Sequence, residues 1–342
     1  MKVGVLTGGG DCPGLNAVIR GVVRKAEREY GDVVVGFLDG WSGLLEDRAM
    51  PLDVEACRGL LTRGGTVLGT SRYQPYMFDD GVERVKATMA RHFVDALIVI
   101  GGEGTLSAAS RIYADGVPLV GVPKTIDNDI NGTQRTFGFD TAVQTATDAI
   151  DRLHTTAESH DRVIVVEVMG RHVGHIATWA GIAGGATIVL VPEVPFDIGA
   201  ICESLRRRHR RGRFSSIVVV AEGAVPVPGS LTVAEPTIDE YGHARLGGIC
   251  NVVAEEIEQR TGFETRVTVL GHVQRGGTPS ALDRVLSTWY GVAAMRAAHE
   301  GDFGTMVAFN NNKVERRRLD ECVSTLKYAD PDLLEVARTF FP

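Results

Sequence analysis

Short runs of apolar residues, each followed by glycines or polar residues and then by an amphipathic segment, recur along this chain. The first run, Val3–Leu6, leads to three glycines and then to Asn16–Glu29, whose apolar spacing predicts a helix. Ala96–Ile100 and Val163–Val168 are followed by glycines and predicted helices in the same way. Continuous apolar strands that alternate with helices are typical of parallel sheets covered on both faces. The pattern therefore predicts an α/β fold.

The length of 342 residues suits two lobes better than one small domain, and we predict that each lobe is doubly wound. Further apolar runs at Ile188–Val191, Ile217–Val220 and Val267–Leu270 supply the later strands. The stretch Val225–Gly247 is rich in Pro, Gly and polar residues, which favours a surface insertion. Ligands of open parallel sheets bind beyond the carboxyl ends of the strands, so the functional residues are expected directly after the apolar runs.

Composition narrows the class of protein. The net charge of −7 argues against nucleic-acid binding. The basic run Arg206–Arg213 is interpreted as a solvated helix C-terminus, with a site for a phosphorylated effector as the alternative. No apolar run approaches the ~18 residues that cross a bilayer, so no membrane partner is expected. The five cysteines lack paired spacing, which favours a reducing cytoplasm over a zinc site or a disulfide framework.

Three loops after predicted strands carry candidate chemistry. Gly8–Asn16 and Gly101–Thr105 are rich in glycine, which lets backbone N–H groups approach a phosphate, and Glu103 in the second loop suits a magnesium ion. The third loop, Pro123–Asp129, combines a lysine with two carboxylates, as a proton acceptor and a phosphate-neutralising cation would require. The alternatives are a tight strand-to-helix turn for the first loop, an exposed turn glutamate for the second, and an Asx-turn for the third.

Later strand ends carry cations that suit a phosphorylated substrate. Arg162 precedes one predicted strand, Arg171 follows it, and Glu222 follows another. Arg266 and His272–Arg275 bracket the apolar run Val267–Leu270. Several arginines at strand ends favour bidentate recognition of phosphate, although a single exposed arginine is ordinary.

Six motifs in family order make the chain similar to the phosphofructokinase family. They are Gly-Gly-Asp-x-Pro-Gly-x-Asn at 9–16, Gly-Gly-Glu-Gly-Thr at 101–105, Pro-Lys-Thr-Ile-Asp-Asn-Asp at 123–129, Met-Gly-Arg at 169–171, Ala-Glu-Gly at 221–223 and Leu-Gly-His-Val-Gln-Arg-Gly-Gly at 270–277. The resemblance implies two lobes with the active site in the cleft between them. It implies a nucleotide-binding lobe of residues 1–138 and 274–324, and a sugar-phosphate-binding lobe of residues 139–273 and 325–342.

The resemblance also implies roles for individual residues. The expected nucleotide contacts are Gly10, Arg72, Tyr73, Gly102, Glu103, Gly104 and Thr105, and Glu103 is the expected Mg²⁺ ligand. Asp127 is the expected proton acceptor for the sugar 1-hydroxyl, assisted by Lys124, Thr125 and Arg171. The expected contacts of fructose 6-phosphate are Thr125, Ile126, Asp127, Arg162, Met169, Gly170, Arg171, Glu222, Arg266, His272, Val273, Gln274 and Arg275.

Two positions bear on the phosphoryl donor. Family members that use pyrophosphate resemble one another in having Asp where this chain has Gly104, whereas glycine leaves room for the α-phosphate of ATP. Lys124, by contrast, is the residue that pyrophosphate users carry. This combination resembles an ATP-using subgroup from actinobacteria and their relatives. We expect ATP, because steric and like-charge exclusion discriminates more sharply than one extra cation.

The resemblance implies a cytoplasmic glycolytic kinase that forms a homodimer or homotetramer, with Arg162 and Arg266 reaching the neighbouring subunit's site. The nearest alternative is a pyrophosphate-dependent phosphofructokinase. A NAD or lipid kinase shares only the Gly-Gly-Glu-Gly loop. A catalytically inactive sugar-phosphate sensor is a third alternative, which the presence of Glu103, Asp127 and Arg171 opposes.

Overall fold

The structure is a computed structural model that describes residues 1–231 and 247–340, so residues 232–246 of the predicted insertion lie outside it. The strands are β1 (Lys2–Gly8), β2 (Val33–Phe37), β3 (Ala49–Leu52), β4 (Ala96–Gly101), β5 (Leu119–Pro123), β6 (Val163–Val168), β7 (Ile188–Leu190), β8 (Ser216–Ala221), β9 (Thr265–Val269), β10 (Thr305–Asn310) and β11 (Lys313–Arg318). The helices are α1 (Leu15–Lys25), α2 (Trp41–Leu45), α3 (Gly81–Arg91), α4 (Glu103–Ala114), α5 (Phe139–His160), α6 (His175–Ala183), α7 (Ile198–Arg210), α8 (Ile249–Thr261), α9 (Ala281–His299), α10 (Leu319–Cys322) and α11 (Pro331–Phe340).

The chain divides into two compact units. The first comprises Met1–Thr141 and Arg275–Lys327, and the second comprises Ala142–Gln274 and Tyr328–Pro342. Each unit has its own mostly parallel sheet flanked by helices, and the prediction of an α/β fold is confirmed. None of the helices in the described part of the chain is long and apolar enough to cross a bilayer.

The first unit contains a seven-stranded sheet in the order β11-β10-β5-β4-β1-β2-β3. Five strands are parallel, and the edge strands β3 and β11 are antiparallel to their neighbours. The chain winds outward from β1 in one direction and from β4 in the other, so the strand order reverses between these two strands. Ligands of doubly wound sheets bind at such a reversal. Gly8 pairs in register with Gly101, and Gly101 pairs with Pro123, which aligns three predicted functional loops at one sheet edge.

Two helix boundaries differ from the predicted ones. Helix α4 begins at Glu103, so the last three residues of the predicted loop Gly101–Thr105 are helical. Gly102 is extended and precedes the helix, and a glutamate in the first turn is favoured by the helix dipole. The predicted helix Asn16–Glu29 is α-helical only to Lys25 and then continues as a single π-helical turn, Ala26–Tyr30.

The second unit contains a parallel four-stranded sheet in the order β7-β8-β6-β9. Its central strands β6 and β8 are buried along their whole length. Arg266 was expected to precede a strand but lies within β9, whose edge position lets polar and apolar residues alternate. The buried carboxylate of Glu167 in β6 accepts hydrogen bonds from the backbone N–H groups of Gly248 (2.9 Å) and Cys250 (3.2 Å). It thereby satisfies free donors at the start of α8.

A buried carboxylate connects the first turn of α5 to α9. Asp283, near the start of α9, accepts hydrogen bonds from the backbone N–H (2.9 Å) and the hydroxyl (2.5 Å) of Thr141 in α5. Burial raises the pKa of Asp283 from 3.8 to about 6, because the charged form loses its hydration, although the bonds from Thr141 oppose the rise. The folded protein therefore favours the protonated form of the Asp283 carboxyl group.

The raised pKa predicts a pH-dependent stability difference. Asp283 favours folding most below its unfolded pKa of 3.8, and the contribution is lost as the pH rises through about 6. Relative to Asp283→Asn, wild-type protein is expected to lose stability over this window, by up to about 3 kcal/mol. Urea unfolding of both proteins between pH 4 and 7 measures this, with Asp79→Asn at an exposed site as the control. A difference that is independent of pH would contradict the prediction.

Candidate active site

The ends of β1 and β4 approach each other closely around one side chain of α4. A Cβ atom at Gly8 would lie 2.7 Å from Thr105 Oγ1, and one at Gly101 would lie 2.4 Å from Thr105 Cγ2. Any side chain at either position would collide with the buried side chain of Thr105, because closely packed interiors leave little room for a buried side chain to move. Glycine is therefore required at both strand ends, and the first turn of α4 is fixed beside the loop after β1.

Gly10, Lys124 and Arg275 lie together beyond these strand ends. The ammonium group of Lys124 donates a hydrogen bond to the carbonyl of Gly10, and Arg275 Nη1 donates to the carbonyl of Asp11 at 3.3 Å. A Cβ atom at Gly10 would lie 2.5 Å from Arg275 Nη1. The structure thus brings two predicted cations against the exposed backbone of the first loop, which suits an anionic ligand.

Burial affects the charge of Lys124, whose side chain is only 3% exposed. Loss of hydration lowers the pKa of this lysine, and the positive charge of Arg275 lowers it further, although the negative charges of Asp11 and Asp129 act in the opposite direction. Burial also raises the pKa of the neighbouring Cys12 thiol to about 12, so this cysteine is a neutral packing group. A desolvated cation interacts strongly with any negative charge that is brought to it.

The loop that carries Asp127 is fixed by its own hydrogen bonds. The backbone N–H of Asp127 donates to Thr125 Oγ1 at 3.0 Å, and the Thr136 hydroxyl donates to the Thr125 carbonyl at 2.7 Å. The side chain of Ile126 is fully buried, whereas Thr125 and Asp127 are half-buried. The alternation anchors the loop through Ile126, while Thr125 and Asp127 on either side of it stay partly exposed.

Two carboxylates, Glu103 and Asp129, interact electrostatically. Burial raises the pKa of Asp129, and the negative charge of Glu103 raises it further, while Thr125 and Lys327 oppose the rise. The buried Oδ1 atom of Asp129 has no hydrogen-bond partner among the described residues. Glu103 is exposed and accepts a hydrogen bond from the Ser107 hydroxyl at 2.8 Å. Oxygen ligands of this kind suit a hard divalent cation.

The predicted nucleotide residues Arg72 and Tyr73 are exposed, and the next residue, Gln74, contacts the glycine-rich turn. Gln74 Nε2 donates to the carbonyl of Gly104 at 3.2 Å. A Cβ atom at Gly104 would meet only this flexible amide, at 3.4 Å. The space around Gly104 is therefore open toward solvent and not occupied by packed backbone.

In the second unit, the predicted residues after β6 and β8 lie next to each other. The N–H of Gly223 donates to the carbonyl of Gly170 at 3.0 Å, and a Cβ atom at residue 223 would lie 1.9 Å from the Arg171 carbonyl oxygen. The backbone N–H of Glu222 donates to the Val168 carbonyl at 2.9 Å. Gly170 has a φ of 140°, which few other residues adopt. These contacts place Gly170, Arg171 and Glu222 at one sheet edge.

Residues 271–274 support the same edge. Gln274 is fully buried, and its side chain accepts from the Met169 N–H at 3.3 Å and donates to the Gly271 carbonyl at 3.1 Å. His272 and Val273 are exposed, and Met169 is half-buried. The structure therefore places Gln274 beneath the predicted sugar-phosphate residues, where it fixes the backbone of Met169.

Two carboxylates, those of Glu193 and Glu264, contact segments that carry the predicted arginines. Glu193 accepts two hydrogen bonds from the Gly174 N–H, at 2.9 and 3.0 Å, and one from the Ala329 N–H at 3.0 Å, which holds the segment that follows Arg171. Arg162 and Arg266 both pair with Glu264, the former at 2.7 Å. The two arginines, 104 residues apart in sequence, thus form one cluster beside β9.

Sequence reasoning missed Gln74, Glu193 and Lys327 as supports of these loops. No motif or spacing marks them, because each acts through a contact with a segment distant in sequence. Asp129 was noted only as part of the third loop. Its burial beside Glu103 could be found only from coordinates.

This chain is similar in sequence and in fold to known proteins. A profile of the family described as Phosphofructokinase matches residues 2–298. An ATP-dependent 6-phosphofructokinase of Corynebacterium efficiens is 55% identical over 342 residues, which are 100% of this chain and 99% of that protein. A pyrophosphate–fructose 6-phosphate 1-phosphotransferase of Streptomyces coelicolor is 57% identical over 342 residues, 100% of both chains. The structure of Pichia pastoris phosphofructokinase in the T-state aligns with a TM-score of 0.83 and 32% identity over 99% of this chain, which spans only 36% of that longer chain.

The buried position of Lys124 predicts an effect on stability. Because the folded-state pKa is lowered, the protonated lysine costs the fold free energy at every pH below that value. Lys124→Met is expected to leave the free energy of unfolding at pH 7 unchanged or to raise it by about 1 kcal/mol. Urea denaturation measures the difference, with the exposed Lys86→Met as the matched control. A loss of about 2 kcal/mol or more would show that the bond to Gly10 outweighs the cost of burial.

Proposed function

This chain belongs to the phosphofructokinase family, and from that premise we propose that it transfers a phosphoryl group from ATP to the 1-hydroxyl of fructose 6-phosphate. The products are fructose 1,6-bisphosphate and ADP, as in glycolysis. The observation that carries the proposal is the alignment of three strand ends in the first unit, Gly8, Gly101 and Pro123. The loops that follow supply phosphate-approaching glycines, a carboxylate at Glu103, and the pair Lys124 and Asp127.

In the proposed reaction, Asp127 accepts the proton of the 1-hydroxyl while the hydroxyl oxygen attacks the γ-phosphorus and the bond to ADP breaks. The hydrogen bond from its own N–H to Thr125 holds the Asp127 backbone, which supports this role. Lys124 neutralises charge on the transferring group, and its desolvation strengthens that interaction. We also propose that Arg171 stabilises the same developing charge.

We propose that fructose 6-phosphate is recognised by residues after the strands of the second sheet together with Arg275. The hydrogen bonds that fix Gly170, Glu222 and the Gln274 side chain support this assignment, since preorganised polar groups recognise sugars with little loss of entropy. The remaining proposed contacts are Met169, His272, Val273, Arg162 and Arg266. We further propose a homo-oligomer in which Arg162 and Arg266 serve a neighbouring subunit, and a cytoplasmic location.

The residues present fit a magnesium ion. Asp129 offers a buried carboxylate oxygen that lacks a hydrogen-bond donor among the described residues, and Glu103 lies near enough to raise the pKa of Asp129. Mg²⁺ in phosphoryl-transfer sites is bound through one or two carboxylates and phosphate oxygens. Glu103, together with Asp129, would hold the ion. The bound metal would offset negative charge on the phosphate groups.

Gly104 supports ATP over pyrophosphate as the donor. Relatives named for the two donors are about equally similar to this chain, at 55% and 57% identity, so overall identity does not distinguish the donors. Glycine at 104 leaves open the space that an aspartate would fill with negative charge, and only the Gln74 amide borders it. An open, uncharged position favours the extended triphosphate of ATP.

Asp127→Asn is expected to lower kcat by roughly 10²–10⁴-fold, because the amide cannot accept the hydroxyl proton. The KM values for both substrates are expected to change little. A coupled assay for fructose 1,6-bisphosphate measures this, with the exposed Asp79→Asn as the control. Near-wild-type turnover of pure Asp127→Asn protein would rule out the role.

Gly104→Asp is expected to lower kcat/KM for ATP by about 10²-fold or more, since like charges placed together cost several kcal/mol. Activity with pyrophosphate is expected to rise. Gly104→Asn is the matched control, because it adds nearly the same volume without charge. Both donors are assayed at saturating fructose 6-phosphate.

Two outcomes of these assays would contradict different parts of the proposal. A wild-type preference for pyrophosphate would overturn the donor assignment but leave the sugar substrate in place. Unchanged use of ATP by Gly104→Asp would show that residue 104 does not select the donor.

A further inference from the structure

Lys327, the last residue of the first unit, lies against the loop that carries Asp127. Its backbone N–H donates to the carbonyl of Asp129 at 2.9 Å, and the preceding residue, Leu326, forms an antiparallel bridge with Ile130. A segment almost 200 residues away in sequence therefore runs alongside the loop.

The ammonium group of Lys327 uses all three of its donors on one short stretch of chain. It donates to Asn128 Oδ1 at 2.8 Å, to the Thr133 carbonyl at 2.8 Å and to the Gln134 carbonyl at 3.1 Å. A lysine ammonium has three N–H donors, so these contacts are sufficient to saturate it. Burial lowers the pKa of Lys327 to about 7, and below that pH the ammonium form supplies all three donors.

Asn128, which accepts one of these hydrogen bonds, lies between Asp127 and Asp129 in the loop. Its φ of 54° is in the left-handed region, which costs energy unless the side chain is held. Asn128 Oδ1 accepts from Lys327 and also from the Thr136 N–H at 3.0 Å. This conformation sets the directions in which Asp127 and Asp129 leave the loop.

We propose that Lys327 is a positioning residue that fixes the Asp127 loop through Asn128 in its left-handed conformation. The proposal rests on the proposed function for its catalytic consequence, but the loop restraint is a property of the protein alone. A misplacement of about 1 Å at a reacting group can cost 10²-fold in rate. Loss of the three bonds is therefore expected to reduce turnover without removing any substrate contact.

Lys327→Met is expected to lower kcat ~10- to 100-fold while KM for both substrates changes less than about threefold. The matched control is Lys313→Met, since Lys313 is an exposed lysine of the same unit. Asn128→Gly keeps the left-handed backbone but removes the acceptor. If Lys327 acts through Asn128, the double variant loses little more activity than the more severe single variant.

Hydrogen–deuterium exchange supplies a readout that does not need activity. In Lys327→Met, amides of residues 126–136 are expected to exchange faster, whereas those of β4 and β5 are unchanged. If Lys327→Met does not fold, Lys327→Gln, which keeps an amide donor, is measured in its place.

Unchanged exchange across 126–136, or equal changes throughout the first unit, would overturn the proposal. So would an active wild-type enzyme whose kcat is insensitive to the substitution. If the wild type transfers phosphate from neither ATP nor pyrophosphate, the proposed function fails, and the exchange experiment still decides whether Lys327 holds the loop.

Discussion

The packing of Thr105 over the ends of β1 and β4 is the constraint on which the first unit's candidate site depends. Glycine at 8 and 101 is needed because a side chain at either strand end would collide with this buried threonine. The close approach sets where α4 begins, and the register from Gly8 to Gly101 to Pro123 then fixes where the third loop starts. A single steric condition thus brings the glycines of the first loop, Glu103 and Lys124 to one edge.

Periodicity was sufficient to predict the α/β class and the strands whose ends carry the candidate loops. The apolar runs at Val3–Leu6 and Ala96–Ile100 became β1 and β4 because both are buried on every side. Edge strands were harder, since Arg266 lies inside β9, where one side faces solvent and the apolar run is broken. Supports such as Lys327 could not be predicted, because their partners lie far away in sequence. The catalytic and binding roles of the individual residues remain predictions.

Two buried charged groups in the third loop show the conflict between stability and proposed function. Lys124 and Asp129 both have pKa values displaced toward their neutral forms by burial. Such groups weaken the fold, and perturbed ionisable residues cluster where a protein must handle charge. The Asp283 carboxylate is also buried, but its bonds to Thr141 connect two helices. The Asp283 carboxylate therefore contributes to the packing of α5 against α9, whereas Asp129 lies in a loop beside the negative charge of Glu103.

The first unit is assembled from two separated stretches of chain, which has a consequence for its synthesis. Helix α9, strands β10 and β11 and Lys327 all come from Arg275–Lys327, while the rest of the unit is made before residue 142. A ribosome makes the chain from its N-terminus. Residues 142–274 of the second unit are therefore synthesised before the strands that complete the sheet of the first unit. During that interval the β5 edge lacks β10, its later neighbour. The nascent chain therefore exposes a hydrogen-bonding strand edge, which is where premature association with other chains would start.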